Sequence, residues 1–412
     1  MKTIPLFRQY TGLRKEVYIL FFGKLVTNMG TMIWPVLTLI LNQKLGMDAT
    51  GVAVVTLTAS IAFLPANLIG GKIADRCNKK VVIVYCDLVS IILYLIASFI
   101  PLTLGTIVLS IIAAGFQGME RPAYDSLIAD ITLTKDRTKA FSLMYLGMNL
   151  GMVATPTIAG LLFVNYLWLS FLISGTSIAF STILIFVCIK DVTPVSEESE
   201  EASYQANRDT ASLWTVLKEN PVIVLYTLLT AFFWAAYHQY TYLMPLDISR
   251  VHGEEGALIF GSVSSLNCVI VVIFTPLLTT LFSRTSHTRK TLYGMLLVLI
   301  GYVLFLIFLG TIPVYYAAMA LFTFGEILST ITCGPYLTER IPASHRGRIN
   351  GVSSVLQSIL QSCLLFTTGR LFDTTGSVAA WTAVFAVILV SIIACIALIP
   401  LDKKQYISLY KK

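Results

Sequence analysis

The chain has 412 residues, of which 56% are hydrophobic and only 12% charged, against about 25% charged in an ordinary soluble domain. That composition excludes most soluble enzymes, disordered tails and nucleic-acid modules. Apolar stretches of the roughly 20 residues that a bilayer crossing needs recur from Tyr18 to Pro400, so the +7 net charge belongs to a polytopic helical membrane protein.

In chain order, residues 1–16 are polar and basic, and the first apolar run is long enough to remain as a span, so no cleavable leader is expected. Breaks at charged, Pro and Gly residues predict twelve helical spans, at 17–42, 50–71, 81–100, 104–127, 138–163, 167–189, 220–246, 256–282, 291–310, 313–336, 347–371 and 377–400. Lys and Arg orient them, because cytoplasmic loops carry the excess of positive charge. Of the 29 Lys and Arg, 24 fall on the side of the amino terminus. Lys44, Arg250 and Arg370 fall on the other, and Lys24 and Arg121 lie inside spans. Both termini and the long middle loop are therefore expected in the cytoplasm, and the basic balance reads as topology rather than a nucleic-acid face.

The middle loop, 190–218, carries Glu197, Glu198, Glu200 and Glu201 among Ser and Asn. Such a run buries too little apolar surface to fold alone and reads as a cytoplasmic linker between two six-helix halves, 1–189 and 219–412. The halves echo each other. A shift of 209 places Arg137 on Arg346, Lys139 on Arg348, Gly160 on Gly369 and Phe163 on Phe372. Shifts of 208–210 lay DRCNKK at 75–80 over SRTSHTRK at 283–290. Two parallel repeats about an axis along the membrane normal are a transporter plan, with the substrate site near the midplane between the halves. The seven cysteines are scattered without a CxxC pair, so neither a zinc site nor a disulfide framework is indicated.

The loop after the second span reads Gly70-Gly71-Lys72-Ile73-Ala74-Asp75-Arg76-Cys77-Asn78-Lys79-Lys80. It resembles the signature loop of the major facilitator superfamily, with Asn78 where that family usually has Gly. Asn tolerates left-handed backbone better than most residues, so the turn is expected to survive. The resemblance implies a major facilitator fold, an all-α membrane protein with twelve transmembrane helices in two parallel-repeat six-helix halves. It also implies a conformational gating loop of Gly71, Asp75, Arg76, Lys79 and Lys80. Gly71 would permit close helix approach, Asp75 would sit at the amino end of the eleventh span near Gly347, and Lys79 would pair with Asp130. In the fifth span Gly147, Gly151, Pro156 and Gly160 resemble the antiporter motif of proton-driven exporters, with Thr155 in place of the Gly before Pro. Small residues at this spacing serve plain helix packing as well. Gly325-Glu326, Gly334-Pro335 and Arg346-Gly347-Arg348 resemble the twelve-span drug:proton antiporter family.

Ionisable residues at bilayer depth cost roughly 2.5–3.5 kcal/mol each on insertion scales, so each needs a reason. Glu120 and Arg121 lie in the fourth span, and Asp125 shares a helix face with Arg121. The three form a candidate substrate or proton cluster in which Arg121 is expected to hold Asp125 and leave Glu120 for a proton. A structural ion pair is the other reading. Glu326 stands in the tenth span with no cation within one turn. Burial disfavours a carboxyl's charged form, which makes Glu326 a candidate proton carrier or a site for a cationic compound. His238 is a further candidate in the seventh span, with Trp34, Asn28, Trp234 and Gln357 as lining residues. Lys24 reads as a snorkelling lysine, and Asp87 as a member of the cytoplasmic closing network.

No nucleophile–base constellation, metal cluster or GxxxxGK[ST] loop is present in the sequence. No enzyme activity, cofactor or ATP use is expected. The sequence predicts a cell-membrane secondary transporter, a monomer in the lipid bilayer, that expels small amphipathic or drug-like molecules against protons by alternating access. Uptake of a small metabolite and a non-transporting sensor are the alternatives.

Overall fold

The computed structural model describes residues 11–189, 218, 220–340 and 346–410, and among them there is no β-strand. In chain order the helices are α1 Lys15–Met29, α2 Ile33–Leu39, α3 Ala49–Arg76, α4 Lys79–Phe99, α5 Leu104–Ile131, α6 Thr134–Met152, α7 Thr155–Leu162 and α8 Leu167–Cys188. They continue as α9 Pro221–Tyr237, α10 Tyr240–His252, α11 Gly256–Leu281, α12 His287–Ile307, α13 Ile312–Arg340, α14 Arg346–Thr374 and α15 Ser377–Gln405, with a 3-10 turn at Ile407–Tyr410. Three crossings are interrupted. Gly30 ends α1 and α2 runs into a π turn at Ile40–Lys44; α6 and α7 break before Pro156; α9 and α10 break at His238. Joined across these breaks, the helices coincide one for one with the spans expected from the sequence. Among the described residues eight segments, Pro221–Leu281 counted as one, are long and apolar enough to cross a membrane.

The helices are all-round apolar rather than amphipathic in the aqueous sense, as helices solvated by lipid must be. On α4 a stripe of Tyr85, Leu88, Ile92, Ile96 and Phe99 is exposed, while the buried face carries Val82, Ile83, Cys86, Asp87, Ser90, Tyr94 and Ala97. Helix association in lipid comes from close packing and interhelical hydrogen bonds. Ser90 illustrates it, donating 2.9 Å to the Ala113 carbonyl of α5. Prolines stand inside α3, α5, α10, α11, α13 and α15. Each removes a backbone donor, a loss that neighbouring helices make tolerable in a membrane.

The chain divides into two compact units. One comprises Met1–Gly46, Val55–Glu197 and His252–Val269; the other comprises Met47–Val54, Glu198–Val251 and Ile270–Lys412. Apart from Lys218, the linker read at 190–218 lies outside the described residues. In the first unit α4 packs along α5 and α8, and α1 along α6 and α8. In the second unit α12 packs along α13 and α15, and α9 along α14 and α15. The same pairing scheme thus recurs in each, the structural counterpart of the repeat in the sequence. Val17, Leu20, Ile83, Leu127, Ile131, Met144 and Ile185 form the apolar core at one end of the first unit.

Candidate functional site

The first unit holds a buried charge cluster. α1 supplies Lys24, α4 Asp87, α5 Glu120 and Tyr124, and α8 Thr182. The Lys24 Nζ lies 3.9 Å from Glu120 Oε1 and 4.4 Å from the centre of the Tyr124 ring. The Thr182 hydroxyl donates to Asp87 Oδ2 at 2.6 Å. Asp87 also lies within electrostatic reach of both Glu120 and Lys24. The Tyr124 hydroxyl donates 2.8 Å to the Leu20 carbonyl and ties α5 to α1. Gly23 admits the closeness, since a Cβ there would meet Ser181 Oγ of α8 at 2.9 Å. Glu120 Oε2 is buried with no hydrogen-bond partner among the described residues.

This arrangement corrects the expected roles. Arg121 and Asp125 are both exposed on α5 and form no ion pair with each other among the described residues. A shared helix face makes such a pair possible, but hydrated charges gain little from it. Glu120, expected to be left for a proton, has Lys24 beside it. Lys24 does not snorkel to the interface, and Asp87 joins Glu120 and Thr182. Sequence reasoning marked Lys24 and Asp87 as charges inside spans; their convergence with Glu120 is set by how α1, α4 and α5 pack.

The second unit places Glu326 of α13 against α9. The Tyr237 hydroxyl donates to Glu326 Oε2 at 2.6 Å. Around this bond Trp234 meets Tyr237 edge-on at 5.5 Å, His238 stacks on Trp234 at 5.8 Å, and Tyr240 meets Tyr237 at 5.2 Å. His238 caps α9 at the chain break, so it belongs to the rim of an aromatic nest rather than to an isolated position. The buried Gln239 accepts from Thr368 of α14 at 2.9 Å and fixes that break. A carboxylate bonded to one ring of an aromatic cluster is chemistry suited to a cation, which a carboxylate and aromatic rings both attract.

At the loop between α3 and α4, Lys79 forms an ion pair with Asp130 at the end of α5. Lys80 donates 2.6 Å to the Ile189 carbonyl at the end of α8, where a helix C-terminus favours a cation. Arg76 is exposed in the last turn of α3, and the Asp75 side chain lies outside the described residues. Two details differ from expectation. Asn78 needs no left-handed backbone: at φ −60° it caps α4, accepting from the Lys80 and Val81 amides at 3.0 and 3.4 Å. Close approach falls to Gly70 rather than Gly71. A Cβ on Gly70 would sit 2.1 Å from the Met119 carbonyl oxygen, whereas one on Gly71 would meet nothing within 4 Å. A hundred-degree step around the helix moves the contact from one glycine to the next.

The fifth-span motif is a packing seam. Cβ atoms on Gly147 and Gly151 would strike Phe21 at 2.9 Å and the Leu25 carbonyl at 2.4 Å, both on α1. One on Gly160 would lie 2.4 Å from the Ala257 carbonyl, and one on Gly261 would lie 2.2 Å from the Pro156 carbonyl. Thr155, in the place of the usual glycine, donates to the Gly151 and Met29 carbonyls at 2.8 and 3.1 Å.

The second unit also carries a clasp with no precedent in the sequence reading. Arg340 at the end of α13 grips Asp402 of α15 with two bonds of 2.8 Å, Nε to Oδ1 and Nη2 to Oδ2. Tyr336 donates to the same carboxylate at 2.8 Å, and Tyr410 donates from the last turn. Burial raises the Tyr410 hydroxyl above its ordinary value and donation to Asp402 adds to this, so it remains a donor. The adjacent His287 meets Glu339 at 3.3 Å. By the repeat shifts of 208 and 209 these two occupy the positions of Lys79 and Asp130.

A sequence profile of the Major Facilitator Superfamily matches residues 20–364. A Na(+), Li(+), K(+)/H(+) antiporter of Planococcus maritimus is 23% identical over 356 residues, 80% of this chain and 82% of that protein. The quinolone resistance protein NorA of Staphylococcus aureus is 26% identical over 153 residues, 36% of this chain and 38% of NorA. A crystal structure of the peptide transporter POT matches at a TM-score of 0.79 and 15% identity, over 94% of each chain. One of the nucleoside transporter NupG matches at 0.74 and 14%, over 93% of this chain and 99% of that one. At such identities the structures speak for the fold alone. With its helices, its repeated pairing scheme and a profile match over most of its length, this chain belongs to the Major Facilitator Superfamily, a family of membrane transporters.

Proposed function

We propose that the chain is a proton-coupled exporter of small amphipathic compounds, cationic ones foremost, in the cell membrane. Both termini lie in the cytoplasm, as the distribution of Lys and Arg favours. One chain, without a cofactor, carries the pathway. The observation that carries this reading is the Glu326 carboxylate, which accepts from Tyr237, a ring packed against Trp234, His238 and Tyr240. A carboxyl so placed attracts an organic cation, and exchange of that cation for a proton carried by the same chain is antiport. Lys79 and Asp130 join neighbouring helix ends on the expected cytoplasmic side and act as a gating link that alternating access must rearrange. The antiporter-like seam of Gly147, Gly151, Pro156 and Gly160 lends support, as do the activities for which the Planococcus and Staphylococcus relatives are named.

A second reading comes from the relative named for Na(+), Li(+) and K(+), in which an alkali cation takes the place of the organic one. Both are tested in everted vesicles acidified inside, with a pH dye reporting proton release. Cationic and neutral compounds, and then sodium, lithium and potassium salts, are added to wild type and to Glu326→Gln. Compound-dependent proton release that the variant loses is the expected result. Release by alkali salts alone supports the second reading. No release by any of them from well-expressed wild type overturns proton antiport.

A further inference from the structure

We propose that Asp87 and Glu120 share a single proton, balanced by Lys24, and that this three-residue cluster in the first unit is the site that binds and releases the coupling proton. The inference deepens the antiport reading and rests on it for the word coupling; the shared proton itself rests on the geometry.

The argument is one of charge and hydrogen-bond completeness. Two carboxyls and one ammonium meet in the interior of this unit, between α1, α4 and α5. Asp87 is 5% exposed and Glu120 6%. Without a proton the three carry one net negative charge, which an apolar interior penalises. One proton makes them neutral. The other facing groups do not change the count: Thr182 of α8, Tyr124 of α5 and Cys86 of α4 are neutral, and Arg121 and Asp125, both exposed on α5, cancel. Hydrogen bonding points the same way. Thr182 donates to Asp87 Oδ2, the Lys24 ammonium stands 3.9 Å from Glu120 Oε1, too far for a hydrogen bond, and Glu120 Oε2 is buried without a hydrogen-bond partner among the described residues. A buried acceptor left unmade costs about 1–3 kcal/mol. A proton held between the two carboxyls gives that oxygen its bond. On release the O–H bond breaks, the proton leaves to water and the carboxylate keeps the electron pair. The Lys24 side chain, 19% exposed, is the least buried of the three.

The charge count makes a sharp prediction. Removing either acid leaves one carboxylate opposite one ammonium, which is neutral without any proton. Asp87→Asn and Glu120→Gln should therefore each abolish the whole signal, not half of it. Removing the cation as well, in Lys24→Gln/Glu120→Gln, leaves Asp87 neutral only when protonated and should restore it.

The test is infrared difference spectroscopy of purified protein in nanodiscs, in a Glu326→Gln background. The readout is the carbonyl stretch of a protonated carboxyl, with no compound present. Loss in both single variants and recovery in the double variant are expected. Loss in only one of the single variants, retention in both, or no recovery in the double variant overturns the shared proton. Transport is read separately in the Asp87→Asn and Glu120→Gln single variants, in the otherwise wild-type chain. Counterflow of compound across equal pH should survive in them while uphill export is lost. If wild type shows no compound counterflow, the antiport reading fails while the spectroscopic outcome still stands or falls alone. Counterflow lost in both single variants that remain monodisperse overturns the coupling role.

Discussion

At the scale of single residues, the loop between α3 and α4 separates what a motif names from what a side chain does. The resemblance pointed to Gly71 for close approach, yet it is Gly70 that lies against the backbone of Met119. Gly70→Ala must displace α5 or α3 and is expected to cost about 1–3 kcal/mol, the range for overpacking. Gly71→Ala, with open space around its Cβ, is expected to stay within about 0.5 kcal/mol. Thermal unfolding of the two variants in detergent checks the contrast, and equal melting temperatures would contradict it. Asn78 makes a similar point, because its side chain supplies a helix cap in place of the conformational freedom of glycine. Lys24 and Asp87 were each visible as charges within spans, but their meeting with Glu120 depends on three different helices, the residues standing 33 to 96 positions apart in sequence. No spacing rule along one helix reaches that far.

At the scale of elements, broken helices and end-to-end clasps set the architecture. The breaks before Pro156 and at His238 were legible only in part. Pro156 was read only as part of a motif within one span, and the break at His238 goes with Gln239, whose buried amide oxygen accepts from Thr368 of another helix. The Arg340–Asp402 clasp joins α13 to α15 through a fully buried carboxylate. Arg340→Met would strand that carboxylate without its charge partner, at roughly 3–5 kcal/mol. A markedly lowered melting temperature in detergent is expected. Arg340→Met/Asp402→Leu, which removes both charges, should recover most of it. If the double variant melts no higher than the single one, packing of the arginine rather than the orphaned charge explains the loss. The sequence hid this pair because each member, near the end of a span, looks like an ordinary interfacial charge.

At the scale of the whole molecule, the direction of transport depends on which side the loops occupy. From the distribution of Lys and Arg the loop of Cys77 is expected in the cytoplasm, and Cys77 is exposed just after α3. In a variant retaining Cys77 as its only cysteine, a membrane-impermeant maleimide should label everted vesicles and not intact cells. Labelling of intact cells would invert the orientation and, with it, the reading of export.

Composition and hydropathy by themselves determined the solvent, the number of spans and their approximate limits. They could do so because a bilayer demands long apolar helices wherever the chain crosses it. The repeat was legible too, since its matching loops keep one register through half the chain. Tertiary structure alone decided which charges meet, which glycine is crowded and which carboxylate is shared. Those outcomes depend on the rotation of each helix about its own axis. That rotation is fixed by interhelical hydrogen bonds such as Ser90 to Ala113 and Tyr124 to Leu20, and by small-residue contacts such as Gly151 to Leu25. In helices apolar on every face, hydropathy leaves that rotation unmarked.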